Sequence, residues 1–354
     1  TSTKGIKAGS TLLIKDGEFT LDCCDDAVHS NGDVSITDGT FKISTGDDGV
    51  HSDSKLSVSG GNITVEKSYE GLEGAQIEIS GGEINVTASD DGLNAAGGND
   101  ESGFGDRKDN FISNSDYYIK ITGGKINVNA YGDGIDSNGD LFVEGGETYV
   151  SGPVNDGNGA LDYDGSAKIT GGIFVAAGSS GMAMNFGTDS TQGSIMVSLN
   201  GAAQTAIVLK DGSSNEFLSY TPPKQYSNVV ISCPDLKVGS SYTVSAGSAS
   251  QSVTLDSLIY GESKGMGGAP NGSNAPQGTN PQNDNNQPPS GEKPSDNGNQ
   301  PPEMPDSSGT EQNGTAPSGN RPDKKPDKKP DDSTASSSGN KKQKSASDET
   351  SSQS

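Results

Sequence analysis

The 354-residue chain has no tryptophan, two histidines and three cysteines, and only 28% of its residues are hydrophobic. Aromatic residues make up 5%. A chain this long and this polar cannot fill one conventional globule, which leaves a narrow solenoid, an unpacked segment, or both. No apolar run approaches the ~18 residues of a membrane span, so no transmembrane segment is expected. Cys23 and Cys24 are adjacent and cannot easily bridge each other without strain. That excludes a disulfide framework and permits at most one bridge to Cys233; the simplest reading makes all three small buried apolar residues. Basic residues are also scarce. Residues 1–260 carry 35 acids against 14 bases, a net −21, and residues 261–354 carry 13 against 10, a net −3. So acidic a domain repels nucleic acid and anionic membranes, attracts cations, and meets an anionic polymer only through bridging cations. No signal-peptide pattern is present. The numbering opens on Thr1 rather than Met, and we expect a targeting segment to have been removed ahead of it.

What the chain has in abundance is a repeat. Asp25-Asp26-Ala27-Val28-His29-Ser30 is followed by Asp47-Asp48-Gly49-Val50-His51-Ser52 and Tyr69-Glu70-Gly71-Leu72-Glu73-Gly74. Then come Asp90-Asp91-Gly92-Leu93-Asn94-Ala95 and Gly132-Asp133-Gly134-Ile135-Asp136-Ser137, at spacings of 22, 22, 21 and 42 residues. Asn158-Gly159-Ala160-Leu161-Asp162 and Ser180-Gly181-Met182-Ala183-Met184 are decayed copies. Two alternating apolar pairs accompany each motif, such as Val34/Ile36 with Phe41/Ile43 and Leu56/Val58 with Ile63/Val65. With the single apolar residue of the motif they predict three inward-facing strands per period. Between the paired strands sits a turn: Asp38-Gly39, Gly60-Gly61, Gly81-Gly82, Gly123-Gly124, Gly145-Gly146 and Gly171-Gly172. Glycine locked to a period marks a bend with positive φ or a contact too tight for a Cβ. A sandwich would give turns every 8–12 residues without this identity. The predicted fold is therefore all-β, a parallel β-helix of roughly eight coils of ~22 residues.

Two boundaries divide the chain into three regions: a β-helix over 1–192, a β-rich C-terminal cap over 193–260 that covers the open end of the solenoid, and a disordered Pro/Gly/Asn/Ser-rich spacer over 261–354. Residues 97–115 interrupt the register and read as an inserted loop, a common place for a binding face.

Stacked coils put equivalent residues over one another. One ladder is Asp26, Asp48, Glu70, Asp91 and Asp133, with Asn158 at its decayed end. A second is Asp25, Asp47, Tyr69, Asp90 and Gly132. A third is His29, His51, Glu73, Asn94, Asp136 and Asp162, whose side chains should point outward while Val50 and its equivalents point in. Two carboxylates ~5 Å apart repel by roughly 3 kcal/mol at an effective dielectric of 20. Some acids are therefore protonated or cations lie between the coils. Ca2+ suits a mixed carboxylate and amide set with irregular spacing. Zinc, suggested by His29 and His51, and exposed acids without a specific ion are the alternatives.

The copies from Asp25 to Asp53, together with Ser68-Tyr69-Glu70-Gly71-Leu72-Glu73 and the run from Ser89 to Asp100, resemble a family of clostridial cell-surface carbohydrate-binding domains with a pectate-lyase-like β-helix. The resemblance covers about residues 4–260. It implies a right-handed helix and calcium on the acidic ladders. It also implies binding of plant cell-wall polysaccharide, including acidic sugars such as polygalacturonate, by an extracellular protein attached to the bacterial surface. Family members of this type are binders without lyase activity.

On this reading the metal ligands are Asp25, Asp26, Asp47, Asp48, Glu70, Glu73, Asp90, Asp91, Asn94, Asp133 and Asp136, and no residue is catalytic. The sugar-contacting candidates are His51, Tyr69, Phe104, Arg107 and Tyr131. A lyase needs a base near the ion, and Arg107 is the one arginine in residues 1–260. A polysaccharide lyase or hydrolase of the same fold is the alternative, and a calcium-stabilised structural spacer is a third reading. A monomer is expected.

Overall fold

The computed structural model describes residues 3–96 and 116–263. Each apolar–polar pair in the repeat forms a strand because only alternation lets one face bury Val, Ile or Leu while the other stays wet. The motif strands Ile6–Ala8, Val28–Ser30, Val50–Val58, Leu72–Ile79, Leu93–Ala95, Ile135–Ser137 and Asp162–Tyr163 stack in parallel, one on the next. A second row joins Thr11–Ile14, Asp33–Ile36, the latter halves of Val50–Val58 and Leu72–Ile79, then Tyr118–Ile121, Asp140–Val143 and Ala167–Ile169. A third runs from Glu18–Asp22 through Thr40–Ser44, Asn62–Ser68, Glu83–Ala88, Lys125–Ala130 and Glu147–Ser151 to Ile173–Gly178, again all parallel. The result is a β-solenoid of about seven turns, one fewer than the repeat count suggested, and the described residues contain no helix.

The register holds the three inward rows in line. Val28, Val50, Leu72, Leu93 and Ile135 form one buried column; Ile36, Val58, Ile79, Ile121 and Val143 form another; Ile43, Val65, Val86, Val128 and Val150 form the third. Burying each such side chain contributes roughly 1.5–3 kcal/mol relative to leaving it in water. The turn glycines divide two tasks between them. Gly39, Gly61, Gly82, Gly124, Gly146 and Gly172 have positive φ. The preceding glycine, where present, lies against the carbonyl of the coil below: a Cβ on Gly60 would stand 2.3 Å from the Thr37 oxygen.

Beyond Ile173–Gly178 the parallel pattern ends. Tyr226–Ser232 pairs antiparallel with that strand, Ser194–Gly201 pairs antiparallel with Tyr226–Ser232, and Ile259–Tyr260 flanks Ser194–Gly201. The last parallel edge is thus taken up by an antiparallel strand, which removes a site for uncontrolled pairing. A separate antiparallel sheet is built from Ile207–Asp211, Glu216–Tyr220, Ser241–Ala246 and Ala249–Thr254. All three cysteines are free: Cys233 is buried, Cys23 half-buried and Cys24 exposed. The bridge to Cys233 does not form, and only Cys233 has the buried character expected of all three. No helix among the described residues is long and apolar enough to cross a membrane.

Candidate functional site: buried charge ladders along the motif edge

The motif strands carry the ladders in the expected register. Val28 to Ser30 pairs with Val50 to Ser52, which puts His29 on His51; His51 lies on Glu73, Glu73 on Asn94, Asn94 on Asp136, and Asp136 on Asp162. The acid ladder is fixed by backbone bonds from the residue after each acid to the carbonyl of the next: Ala27 to Asp48, Gly49 to Glu70, Gly71 to Asp91 and Gly92 to Asp133. The same bond from Gly134 reaches Gly159, so Gly159, not Asn158, ends that ladder. Asp25, Asp47, Tyr69, Asp90 and Gly132 follow one another in the second ladder, joined through Tyr69 to Asp47, Asp90 to Tyr69 and Gly132 to Asp90.

Three of the acids have a structural use before any ion is considered. Asp26 Oδ1 accepts the backbone N–H of Asp48 at 3.2 Å, Asp91 Oδ1 that of Asp133 at 2.6 Å, and Asp133 Oδ1 that of Gly159. One carboxylate oxygen thereby ties its coil to the next, and the second oxygen is left to face its neighbours.

One expectation is overturned here. His29 and His51 do not point into solvent: both are buried, His51 with 1% of its surface accessible. They do face away from the apolar column, but the acid three residues earlier closes over each ring. Asp26 Oδ2 lies 2.7 Å from His29 Nδ1, and Asp48 Oδ2 lies 3.0 Å from His51 Nδ1. Alternation gave the direction of these side chains but not what covers them. The rings stack 4.9 Å apart and 11° from parallel. Such burial takes His51 out of reach of a polysaccharide.

The ladder divides into two electrostatic halves. In the first, bases answer the acids. Lys4 occupies the rung before Asp26 and meets Asp25 at 2.8 Å and Asp26 at 2.6 Å. Around His51 stand Asp48, Glu73 and, on Nε2, Asp53 at 3.0 Å. Burial opposes a charge on His51, yet Asp48 and Glu73 outweigh it and raise its pKa to about 11. Burial in turn pushes Asp48 well above the usual carboxylate range. Lys4 and Asp53 were missed from the sequence, although stepping back 22 residues from Asp26 leads to Lys4.

In the second half the acids gather more closely. Asp91, Asp133 and Asp136 each bring a carboxylate oxygen within 4.8 Å of the others. Asp91 and Asp136 are raised well above their ordinary value by burial first; Asp136, Asp133, Asp90 and Glu70 then act on Asp91, and Asp133, Asp162, Asp164 and Glu70 on Asp136. The neighbouring charges that raise them most are carboxylates. Asn94, one rung from Asp136, gives its amide N–H to Glu70 at 2.7 Å, while its Oδ1 is buried without a partner. An acidic trio beside an orphaned amide oxygen is a set of hard oxygen donors suited to a Ca2+-class ion.

Two of the sugar-contacting candidates besides His51 lie among the described residues. Tyr69 is half-buried on the second ladder, and Tyr131 is 54% exposed with Lys224 Nζ 4.5 Å above its ring. Burial lowers Lys224 to about 8. Phe104 and Arg107 lie outside the described residues, as does the whole insertion. A polar cleft that the motif search did not single out runs along the third row, where Thr64, Asn85 and Asn127 succeed one another. Asn127 donates to Asn85 at 2.9 Å, and Tyr220, Thr221 and Pro223 form the opposite wall of a space of about 540 Å³.

The described residues thus form an acidic β-solenoid with a carboxylate ladder on one edge and an amide-lined cleft on another. Residues 1–49, its first two periods, match the model of a family described as carbohydrate-binding domain-containing protein. No curated protein and no solved structure matches the chain. The match and the β-solenoid both fit carbohydrate binding.

Proposed function

We propose that this protein is a non-catalytic, extracellular binder of plant cell-wall polysaccharide, and that Ca2+ held at Asp91, Asp133 and Asp136 joins it to acidic sugars such as polygalacturonate. The observation that carries the reading is the carboxylate trio with the buried Asn94 Oδ1 beside it, within a chain whose first periods match a carbohydrate-binding family. Asp90, Glu70 and Asn94 border the trio and complete the oxygen donors. The ion, when bound, supplies positive charge that offsets the trio and leaves valence for a sugar carboxylate. The protein's own residues hold the trio rigid through the Asp91-to-Asp133 and Asp133-to-Gly159 bonds. In the cleft, the Thr64, Asn85 and Asn127 side chains offer donors and acceptors for sugar hydroxyls, and Tyr220 offers an apolar ring face of the kind sugars stack on.

Affinity electrophoresis through a polygalacturonate gel tests this. The full chain should be retarded with Ca2+, run freely with EDTA, and leave no cleared track. Equal mobility in both gels rules out ion-dependent binding of acidic sugar, and a cleared track identifies a polysaccharide lyase or hydrolase instead.

A further inference from the structure

The histidine half of the ladder presents a donor set chemically different from the acidic trio. His51 presents both ring nitrogens to carboxylates. Nε2 lies 3.0 Å from Asp53 Oδ1, so Nε2 carries a proton and donates it there. Nδ1 faces two acceptors at once, Asp48 Oδ2 at 3.0 Å and Glu73 Oε2 at 2.5 Å. A neutral ring would aim its Nδ1 lone pair at two anionic oxygens. A protonated ring has one N–H for both, and its single positive charge stands against three carboxylates. Asp48 Oδ1 is buried as well and has no partner. A divalent ion in place of the Nδ1 proton would use all three converging lone pairs.

We propose that Asp48, His51 and Glu73 form a binding site for a zinc-class divalent metal, with Asp53 as the carboxylate that orients the ring through Nε2. A nitrogen ligand whose other N–H is held by a carboxylate is the usual second-sphere arrangement of metal-bound histidine. One imidazole and two carboxylates suit Zn2+ and its first-row neighbours, whereas Ca2+ takes oxygen alone. Zinc with ligand bonds of ~2.0–2.1 Å separates its donors by about 3.3 Å, so the Glu73 oxygen needs to move by less than about 1 Å. The rung below does not offer the same site. Its donor group is Asp26, His29 and His51, within 4.8 Å of one another, with two imidazoles and one carboxylate in place of one imidazole and two carboxylates. Asp26 is already held by Lys4. This site is separate from the calcium trio, and either can fail without the other.

Isothermal titration of Zn2+ into EDTA-treated, dialysed full-length protein tests the proposal. One tight equivalent is expected, and it should persist in millimolar Ca2+. His51→Gln should abolish it, Asp53→Asn should weaken it by roughly 10–100-fold, and Asp91→Asn should leave it unchanged. A Cys23→Ser/Cys24→Ser double variant should also retain it, which separates the site from thiol binding. Circular dichroism checks that each variant keeps its strand content; if His51→Gln does not fold, the Asp53→Asn titration decides. Absence of a stoichiometric step, displacement by Ca2+, or full affinity in Asp53→Asn overturns the assignment.

Discussion

Gly146→Ala lowers the stability of the solenoid by roughly 2–5 kcal/mol. Two effects add at this position. Its φ of 77° lies in the left-handed region, which an alanine occupies at a cost of about 1–2 kcal/mol. Its added Cβ would also meet Gly123 C and Gly124 O, both at 2.7 Å. These are backbone atoms of the coil below and cannot rotate aside, so the overlap adds an overpacking cost of roughly 1–3 kcal/mol. Two controls separate the terms. Gly239 has a φ of 86° and open space around it, so Gly239→Ala bears only the backbone cost. Gly60→Ala bears only the overlap with Thr37 O. In urea melts followed by circular dichroism, Gly146→Ala should fall further than Gly239→Ala. Equal midpoints for Gly146→Ala and Gly239→Ala would show that the coils are not stacked as tightly as described.

The second large effect is a change of sign with calcium. Asp136→Asn should stabilise the metal-free protein and should abolish most of the stabilisation that Ca2+ gives the parent. Asp91, Asp133 and Asp136 bring oxygens within 4.8 Å of one another, and one such pair repels by about 3.5 kcal/mol at an effective dielectric of 20. Removing one charge relieves that repulsion when no ion is present and removes a ligand when one is. Acidification should mimic the substitution. Burial and neighbouring acids raise Asp91 and Asp136 above their ordinary value, so protonation favours the folded state. Their folded-state penalty is absent below the ordinary carboxylate pKa and grows as pH rises through the raised values. His51 acts in the same direction: the stability from its raised pKa is complete below 6.5 and lost toward about 11. In EDTA the melting temperature should therefore fall between pH 5 and pH 8, and Ca2+ should flatten that slope. A melting temperature in EDTA that Asp136→Asn lowers would remove the repulsion from the account.

Much of this architecture was legible in the sequence because a solenoid repeats its reasons. Val50, Leu56/Val58 and Ile63/Val65 announce three strands, and adding 21 or 22 residues finds the next set. Gly60-Gly61 and its equivalents marked the bend, and the structure assigns positive φ to one member and close carbonyl contact to the other. The ladders followed from the same arithmetic. What the period does not encode is the environment between rungs. His51 alternates with Val50 and so faces away from the core, but only the bend at Asp48 shows that a carboxylate closes over it. Lys4 escaped notice because it fills an acid position with the opposite charge. Asn158 was assigned one residue out because the decayed copy lost the acid that marks the register. The cleft beside Tyr220 joins residues about 90 to 160 positions apart in the chain, Asn127 and Thr64 with Tyr220, and no local pattern brings them together.

The most direct test of an ion that bridges protein and sugar is the mutual effect of the two ligands. Calcium affinity of the full-length protein should be measured with and without a short oligogalacturonate, and oligogalacturonate affinity with and without Ca2+. A bridging ion requires that each tighten the other by the same factor, expected to be at least about tenfold, a coupling of about 1.4 kcal/mol. The coupling should vanish in Asp133→Asn. Calcium and oligogalacturonate that bind without affecting one another would contradict the account and leave the ion a purely structural part of the coil stack.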